Sequence, residues 1–314
     1  MIQEKKYIIY GAGKKGRSYL QFLQKYNLDN SIKYFCDKNA ECIGNIGSIP
    51  VLSYEEAADK GLPFIIAIRN ELVEEVVNQV QNDNQVFYSG LDKVIVDELR
   101  FMSRLEYERE ICAISHIDTM DSYFDIAESK GALEFFWSEG SICYELFRRL
   151  DLKNTVELAC GRGRHVPHYL SEAEHVTLVD ILEKNVEICK QRFSDIDKIS
   201  YVVNNGYDLR NLSDNQYTSL FTYDSMVHFE LLDIANYLKE VYRILKPGGR
   251  ALFHHSNNDS DYKASYDSAR ESRSFMSKNV FAYLAYRAGF EIEEQRVVDW
   301  IEPKLDCLTL VVKR

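Results

Sequence analysis

No stretch of the 314 residues approaches the ~20 consecutive apolar residues that a bilayer crossing needs, and the opening segment runs straight into a strand and a glycine loop without a signal-peptide core. Positive charge is also short: 38 Lys and Arg face 49 Asp and Glu, a net charge of −11. Such a field repels phosphate backbones and argues against nucleic acid as a main partner, although local basic spots can still bind small anions. The seven cysteines, at 36, 42, 112, 143, 160, 189 and 307, are odd in number and contain no CxxC pair. They read as reduced thiols, neither a disulfide framework nor a zinc site, and no cluster of carboxylates and histidines calls for a metal. Solenoid-period repeats and low-complexity tracts are missing too. A soluble, cytoplasmic protein with no membrane span is expected.

What is present is an ordinary globular mixture, 46% hydrophobic and 28% charged, long enough for two domains. Two segments each open with a short apolar strand, a glycine turn and a helical pattern: residues 6–26 and residues 154–170. Each marks a β-turn-α unit, which predicts α/β architecture with two Rossmann-like domains. The first is expected over 1–90, with strands at 32–35, 49–52, 63–68 and 86–88, a turn region around Gly44 and Gly47, and a helix over 71–80. Residues 91–120 predict a connecting helix, with Ile95, Leu99, Met102, Leu105 and Ile111 at helical spacing and the junction near 118–123. The second domain, 121–314, opens with helical segments and predicts strands at 155–159, 175–180, 199–203, 218–223 and 250–254. Lys246-Pro247-Gly248-Gly249 reads as the turn before the last of these. Two extended runs, 291–299 and 306–313, have no helix between them and predict an antiparallel pair added to a parallel sheet.

The strongest chemical signal is Glu157-Leu158-Ala159-Cys160-Gly161-Arg162-Gly163 at the end of an apolar strand. Small residues at 159, 161 and 163 allow a tight turn and close approach of a ligand. Asp180 closes the next strand, 23 residues after Glu157, where it can accept ribose hydroxyls. Asn205-Gly206-Tyr207-Asp208 follows the third strand, where an adenine would sit. Tyr223-Asp224-Ser225-Met226-Val227-His228 ends the fourth, ahead of a helix that finishes in Arg243-Ile244-Leu245-Lys246-Pro247-Gly248-Gly249.

This stretch resembles the class I S-adenosylmethionine-dependent methyltransferases over about residues 121–314. The resemblance implies a seven-stranded sheet with an antiparallel terminal pair and S-adenosylmethionine as cofactor. Its cofactor-binding set would be Glu157, Ala159, Gly161, Gly163, Asp180, Gly206, Tyr207, Asp208 and Tyr223. Gly161 and Gly163 would lie against the amino-acid part, Asp180 against the ribose, residues 206–208 against the adenine and Glu157 near the amino group. Ala159 departs from the usual first glycine.

Methyl transfer needs an aligned acceptor and, for a hydroxyl, a base. His228, just beyond strand four, is the first candidate. His255 is the second; with His254 it ends strand five, where alternation lets only one of the pair face the pocket, and His254 is expected to pack against a helix. Asp224 would orient a base or bind acceptor hydroxyls. His165 and His168 read as packing or surface residues. Phe135, Phe136, Trp137 and Glu139 occupy the segment that would lid the pocket, with Tyr207, Tyr223 and Trp300 as further aromatics, and Arg273 and Ser277 as residues that would reach the acceptor.

In the first domain, Gly11, Gly13 and Gly16 form GxGxxG, with Asp37 at the end of strand two. With Tyr34-Phe35-Cys36-Asp37 and Phe64-Ile65-Ile66-Ala67-Ile68, this segment resembles the sugar-nucleotide-binding domain at the front of bacterial sugar O-acyltransferases. That resemblance implies a nucleotide site in which these four residues hold phosphate and ribose or base, with Lys14, Lys15 and Arg17 adding charge. The acceptor is therefore expected to be a small molecule, a sugar hydroxyl or sugar nucleotide of surface polysaccharide biosynthesis. The alternatives are N-methylation of an amino sugar or small amine, and ligand sensing without turnover in the N-terminal half. A homo-oligomer stays open as a further partner.

Overall fold

The computed structural model describes residues 5–68, 70–115, 124, 126–266 and 268–314, and the chain divides into two compact units, residues 1–119 and 120–314. The expected junction at 118–123 lies outside the described residues.

In the first unit, β1 (Tyr7–Tyr10), β2 (Ile32–Cys36), β4 (Ile49–Leu52), β5 (Phe64–Ile66) and β6 (Phe87–Tyr88) pair in parallel. The order is β4-β2-β1-β5-β6, so the chain reverses direction across the sheet between β1 and β5. At that switch point an open α/β sheet leaves a crevice beyond its strand ends. The turn region around Gly44 and Gly47 is a small hairpin, in which β3 (Asn45–Ile46) pairs antiparallel with β4. Helices α1 (Lys14–Lys25), α2 (Ala40–Ile43), α3 (Tyr54–Ala58) and α4 (Asn70–Asn82) connect the strands. Ser53 starts α3 with a reciprocal cap: its hydroxyl accepts from the Glu56 amide while the Glu56 carboxylate accepts from the Ser53 amide.

The segment expected as one connecting helix differs. Residues Lys93–Glu98 form a π-helical turn, Arg100 takes a left-handed φ of 49°, and α5 (Arg104–Ser115) starts anew. Tyr107 of α5 meets the Phe22 ring of α1 at 5.2 Å, and Phe101 meets Tyr26 at 5.4 Å. These contacts with α1, with Tyr107 buried, make this segment part of the first unit.

Among the described residues the second unit holds seven strands: β7 (Asn154–Leu158), β8 (His175–Asp180), β9 (Ile199–Val203), β10 (Tyr217–Thr222), β11 (Leu245–Ser256), β12 (Glu291–Trp300) and β13 (Glu302–Val312). They lie in the order β12-β13-β11-β10-β7-β8-β9. β7 to β11 are mutually parallel, while β13 runs antiparallel to both β11 and β12. Helices α6 (Lys130–Trp137), α7 (Ile142–Phe147), α8 (Val166–Tyr169), α9 (Glu183–Arg192), α10 (Leu231–Ile244) and α11 (Lys278–Ala288) cover the two faces. Alternating side chains feed two cores: Leu178, Phe221, Leu252 and Leu308 join α6–α8, and Val156, Leu220, Ala251, Phe253 and Val311 join α10 and α11.

Lys246-Pro247-Gly248-Gly249 is not a turn ahead of a strand but an excursion inside one. Tyr217 pairs with Leu245 and Ser219 with Arg250, so four residues loop out between them. Gly248 takes φ 81°, and residues 248 and 249 exchange backbone hydrogen bonds with Lys313. The excursion therefore stays tied to the sheet instead of ending it.

Candidate functional site

At the end of β7 the chain turns through three left-handed residues, Ala159 (φ 57°), Gly161 (φ 55°) and Gly163 (φ 75°). Alanine in that region pays a steric cost that glycine avoids. Gly163 has a packing reason as well: a Cβ there would fall 2.6 Å from the Phe193 ring. At Gly161 a Cβ would stand 3.3 Å from Phe124.

Asp180 ends β8 beneath this turn. One oxygen accepts from the Gly161 amide at 2.8 Å; the other accepts from the Leu182 amide at 2.8 Å and the Asn185 side chain at 3.2 Å. Three of about four acceptor positions on the carboxylate are thus taken within the protein. Burial pushes its carboxyl up to about 6, against those hydrogen bonds. Glu157 is buried on β7. Its Oε2 accepts from the Tyr169 hydroxyl at 2.7 Å, and its Oε1 finds no partner among the described residues. Burial pushes this carboxyl up to about 8, with Tyr169 opposing.

After β9, Asn205 folds the loop by accepting from the amides of Tyr207 and Asp208, and Gly206 takes φ 84°. Asp208 is engaged within the loop: the Arg210 guanidinium grips both of its oxygens and holds the carboxyl down at about 2. A cleft of about 270 Å³ lies beside it, lined by Val203, Asn204, Asn205, Asp208 and Arg210.

The end of β10 is where charge accumulates. Asp224 sits at φ 53° and is held three ways. Its amide donates to His254 Nδ1 at 3.1 Å, and its two oxygens accept from Arg164 Nη2 at 2.9 Å and Trp300 Nε1 at 2.8 Å. Burial alone would raise its carboxyl, but the Arg164 guanidinium outweighs burial and holds it below the ordinary value. The Ser225 hydroxyl donates to Ala159 O at 3.3 Å, tying this turn to the glycine loop. His228, half-buried, shares its Nδ1 with Ser272 O at 2.7 Å and stands edge-on to Tyr266. The structure thus brings Asp224 and His228 to one rim.

It does not bring His255 there. His255 is fully buried, stacked on Phe281 of α11 at 3.9 Å, with Nε2 against the Thr309 hydroxyl at 2.8 Å and Nδ1 against Ser256 O. Burial holds it neutral, with its pKa near 3. The neighbour expected to pack on a helix, His254, takes the other face: it meets Phe135 and Phe136 and braces Asp224. The roles of the pair are exchanged because Ala251, Phe253 and His255 share the face covered by α11.

Tyr223 is also displaced from its expected role. Its ring is buried among Phe136, Trp137, His165 and Phe221, and its hydroxyl donates to Cys143 O at 2.8 Å. Phe135 packs at a tilt against Trp300 at 4.3 Å and Phe136 meets it edge-on at 5.4 Å, so two of the expected lid aromatics contact Asp224's partner. His165 packs as expected, contacted by Trp137 Nε1 at 3.0 Å and Arg164 Nε at 3.2 Å. A neutral imidazole has one acceptor nitrogen, so only one of these is a hydrogen bond at a time. His168 stacks on Trp137. Arg273 does not reach outward; it is buried on Asp306, through Nε at 3.0 Å and Nη2 at 2.8 Å. Ser277 caps α11. Arg164, Asn185 and Asp306 were missed by sequence reasoning.

In the first unit, Asp37 Oδ2 accepts from the Ala12 amide and Oδ1 from the Asn39 amide, both at 2.9 Å. Two of the three glycines are demanded by the protein itself. A Cβ on Gly16 would lie 1.9 Å from Gly11 O, and one on Gly11 would lie 2.4 Å from Ala67 O. Beside Gly13 there is open space. Among the described residues no group of His, Cys, Asp and Glu could hold a metal ion, and no helix is long and apolar enough to cross a membrane.

Residues 156–253 match the methyltransferase domain family, about a third of the chain. Among solved structures, a methyltransferase of Clostridium acetobutylicum ATCC 824, described as S-adenosylmethionine-dependent, is 15% identical with a TM-score of 0.47, covering 62% of this chain and 98% of its own. One from Aquifex aeolicus, described as SAM-dependent, is 17% identical with a TM-score of 0.46, over 62% and 98%. A protein of Pyrococcus horikoshii OT3 is 19% identical with a TM-score of 0.44, over 58% and 96%. Similarity at this level carries nothing about the acceptor. No curated protein matches the chain. The matched segment spans the glycine loop, the acidic ends of β7 and β8, and the charged rim after β10: residues 156–253 form a methyltransferase domain, and the protein is a methyltransferase with S-adenosylmethionine as its methyl donor.

Proposed function

We propose that this protein methylates a hydroxyl of a sugar or sugar nucleotide, as a step in building a surface polysaccharide, with His228 as general base. The observation that carries the hydroxyl is the contact between His228 Nδ1 and Ser272 O. A carbonyl can only accept, so Nδ1 holds the proton and Nε2 holds the basic lone pair. Asp224 lies within electrostatic reach of that ring and favours the imidazolium formed once a proton is taken.

The residues around the glycine loop fit the donor. Glu157 Oε1 is a buried acceptor with no partner among the described residues, suited to an ammonium group; Asp180 keeps one acceptor position for a hydroxyl; Ala159 and Gly161 leave the backbone of the turn approachable. Asn204, Asn205 and Asp208, with Gly206 and Tyr207, would border the base. Bound there, S-adenosylmethionine supplies an electrophilic methyl group. The chain's own work is to hold the acceptor in line and to receive its proton at His228 Nε2. The sugar part of the reading is supported by the first unit, with its switch point between β1 and β5 and a GxGxxG loop whose Gly13 faces open space.

The test is methyl transfer from labelled donor to a panel of UDP- and dTDP-sugars, followed by mass spectrometry of the product. His228→Gln should lower kcat by roughly 10²–10⁴-fold without changing donor affinity. Full activity in His228→Gln would overturn the hydroxyl reading in favour of an amine that arrives neutral. Gly13→Trp should abolish sugar-nucleotide binding by the full chain; unchanged binding would remove the first unit from the argument.

A further inference from the structure

Behind the rim, a chain of buried polar groups runs from the strand β13 to both residues placed at the reaction centre. Arg273 grips Asp306 with two parallel hydrogen bonds, and both side chains are almost wholly inaccessible, at 2% and 0%. A buried ion pair is a weak source of stability, because desolvation offsets most of the attraction, and apolar packing often does as well. The pair therefore needs another explanation, and its contacts supply one.

On one side Arg273 braces a strained loop. Glu271 and Ser272 are successive non-glycine residues in the left-handed region, at φ 48° and 53°. Arg273 Nη1 donates to Glu271 O at 3.1 Å, its own carbonyl accepts from Asn258 Nδ2 at 3.2 Å, and the Ser274 amide donates to Val227 O at 3.0 Å. These ties hold Ser272 O where it meets His228 Nδ1. Such outliers persist only where surroundings over-determine them.

On the other side, Asp306 Oδ2 lies 3.2 Å from His254 Nε2, without the alignment of a full hydrogen bond. His254 Nδ1 accepts from the Asp224 amide, so the imidazole proton sits on Nε2, facing Asp306. Asp224 is itself strained, and this amide contact is one of the three that fix it.

We infer that Asp306, clamped by Arg273, is a positioning residue for the methyl transfer: through Ser272 O it fixes which nitrogen of His228 is basic, and through His254 it fixes the turn that carries Asp224. This rests on the reading of His228 as base. Neither Asp306 nor Arg273 touches the reacting groups.

The test reads the tautomer of His228 directly, by long-range 1H–15N spectra of the full chain carrying 15N-histidine at alkaline pH, with the signal assigned by its loss in His228→Gln. Wild type should show a single Nδ1–H form. Arg273→Met with Asp306→Leu replaces both buried charges by apolar groups of similar size, and should keep donor binding while His228 becomes a mixture of tautomers. Arg273→Lys keeps the charge but loses the fork, and should give a mixture as well; it decides alone if the double variant does not fold. A wild type without the Nδ1–H form, or folded variants that keep it, would overturn the inference. Failure of the base reading looks different: full activity in His228→Gln with the tautomer pattern as expected.

Discussion

Glu157 offers the sharpest quantitative test of the site. It is 1% exposed, its Oε1 has no partner among the described residues, and burial lifts its carboxyl from 4.5 to about 8. An acid whose folded-state pKa lies above the unfolded one keeps its proton in the fold while the unfolded chain gives it up. Its contribution to stability is therefore full below about pH 4.5 and is lost as pH rises to about 8. Each pH unit in that window costs about 1.4 kcal/mol, so the whole window costs on the order of 5 kcal/mol. Glu157→Gln keeps the shape and removes the titration. Both tryptophans, Trp137 and Trp300, belong to the C-terminal unit, so fluorescence-detected urea unfolding reports on this unit. The stability of wild type minus that of Glu157→Gln should fall by about 1.4 kcal/mol per pH unit from pH ~5 to ~8 and then level off. Buried neutral His255 and His165 act in the opposite sense, losing stability as pH falls below 6.5, and cancel in the difference. A difference that stays flat across the window would refute the reasoning and mean that the carboxylate is ionised in the fold.

Three further outcomes are expected. Ala159→Gly relieves a left-handed alanine at the cost of unfolded-state entropy, and should raise stability by about 0.5–1 kcal/mol in the same urea assay. Gly163→Ala places a Cβ at φ 75° and 2.6 Å from the Phe193 ring, and should destabilise by about 2–4 kcal/mol and weaken donor binding measured by calorimetry. Lys313→Met leaves Asn215 Oδ1, Tyr242 O and Leu245 O without their shared ammonium donor, and should cost about 1–3 kcal/mol with no change in donor affinity.

The fold was legible where local signals are strong. Apolar runs ending in glycine or acid mark β7 and β8, and the absence of a helix between 291–299 and 306–313 marks the antiparallel pair. The site was legible only in part. From Ala251 to Ser256 both faces of β11 are buried, so Ala251-Leu252-Phe253 ahead of the histidines shows no alternation and the parity that separates His254 from His255 leaves no trace. The Arg164–Asp224 pair bridges 60 residues and the Arg273–Asp306 pair 33, so neither shows a sequence period. Asp208 and Arg210, two residues apart, could have been paired by eye. The excursion at 246–249 looked like a turn because Pro and Gly break strands in isolation; the tie to Lys313, 64 residues on, lets the strand continue.

The placement of β13 has a consequence for how the domain is completed. It is last of the strands in chain order, yet it lies between β11 and β12, not at the margin. Without it, β11 would present the unpaired backbone of Ala251, Leu252 and Phe253, an apolar edge of the kind that recruits strands from other chains. The hairpin from Glu291 to Val312 covers that border and leaves the polar-patterned β12 as the sheet's edge, and the same strand carries Asp306 and Thr309 to their partners. Shielding of the sheet and bracing of the rim thus depend on one hairpin.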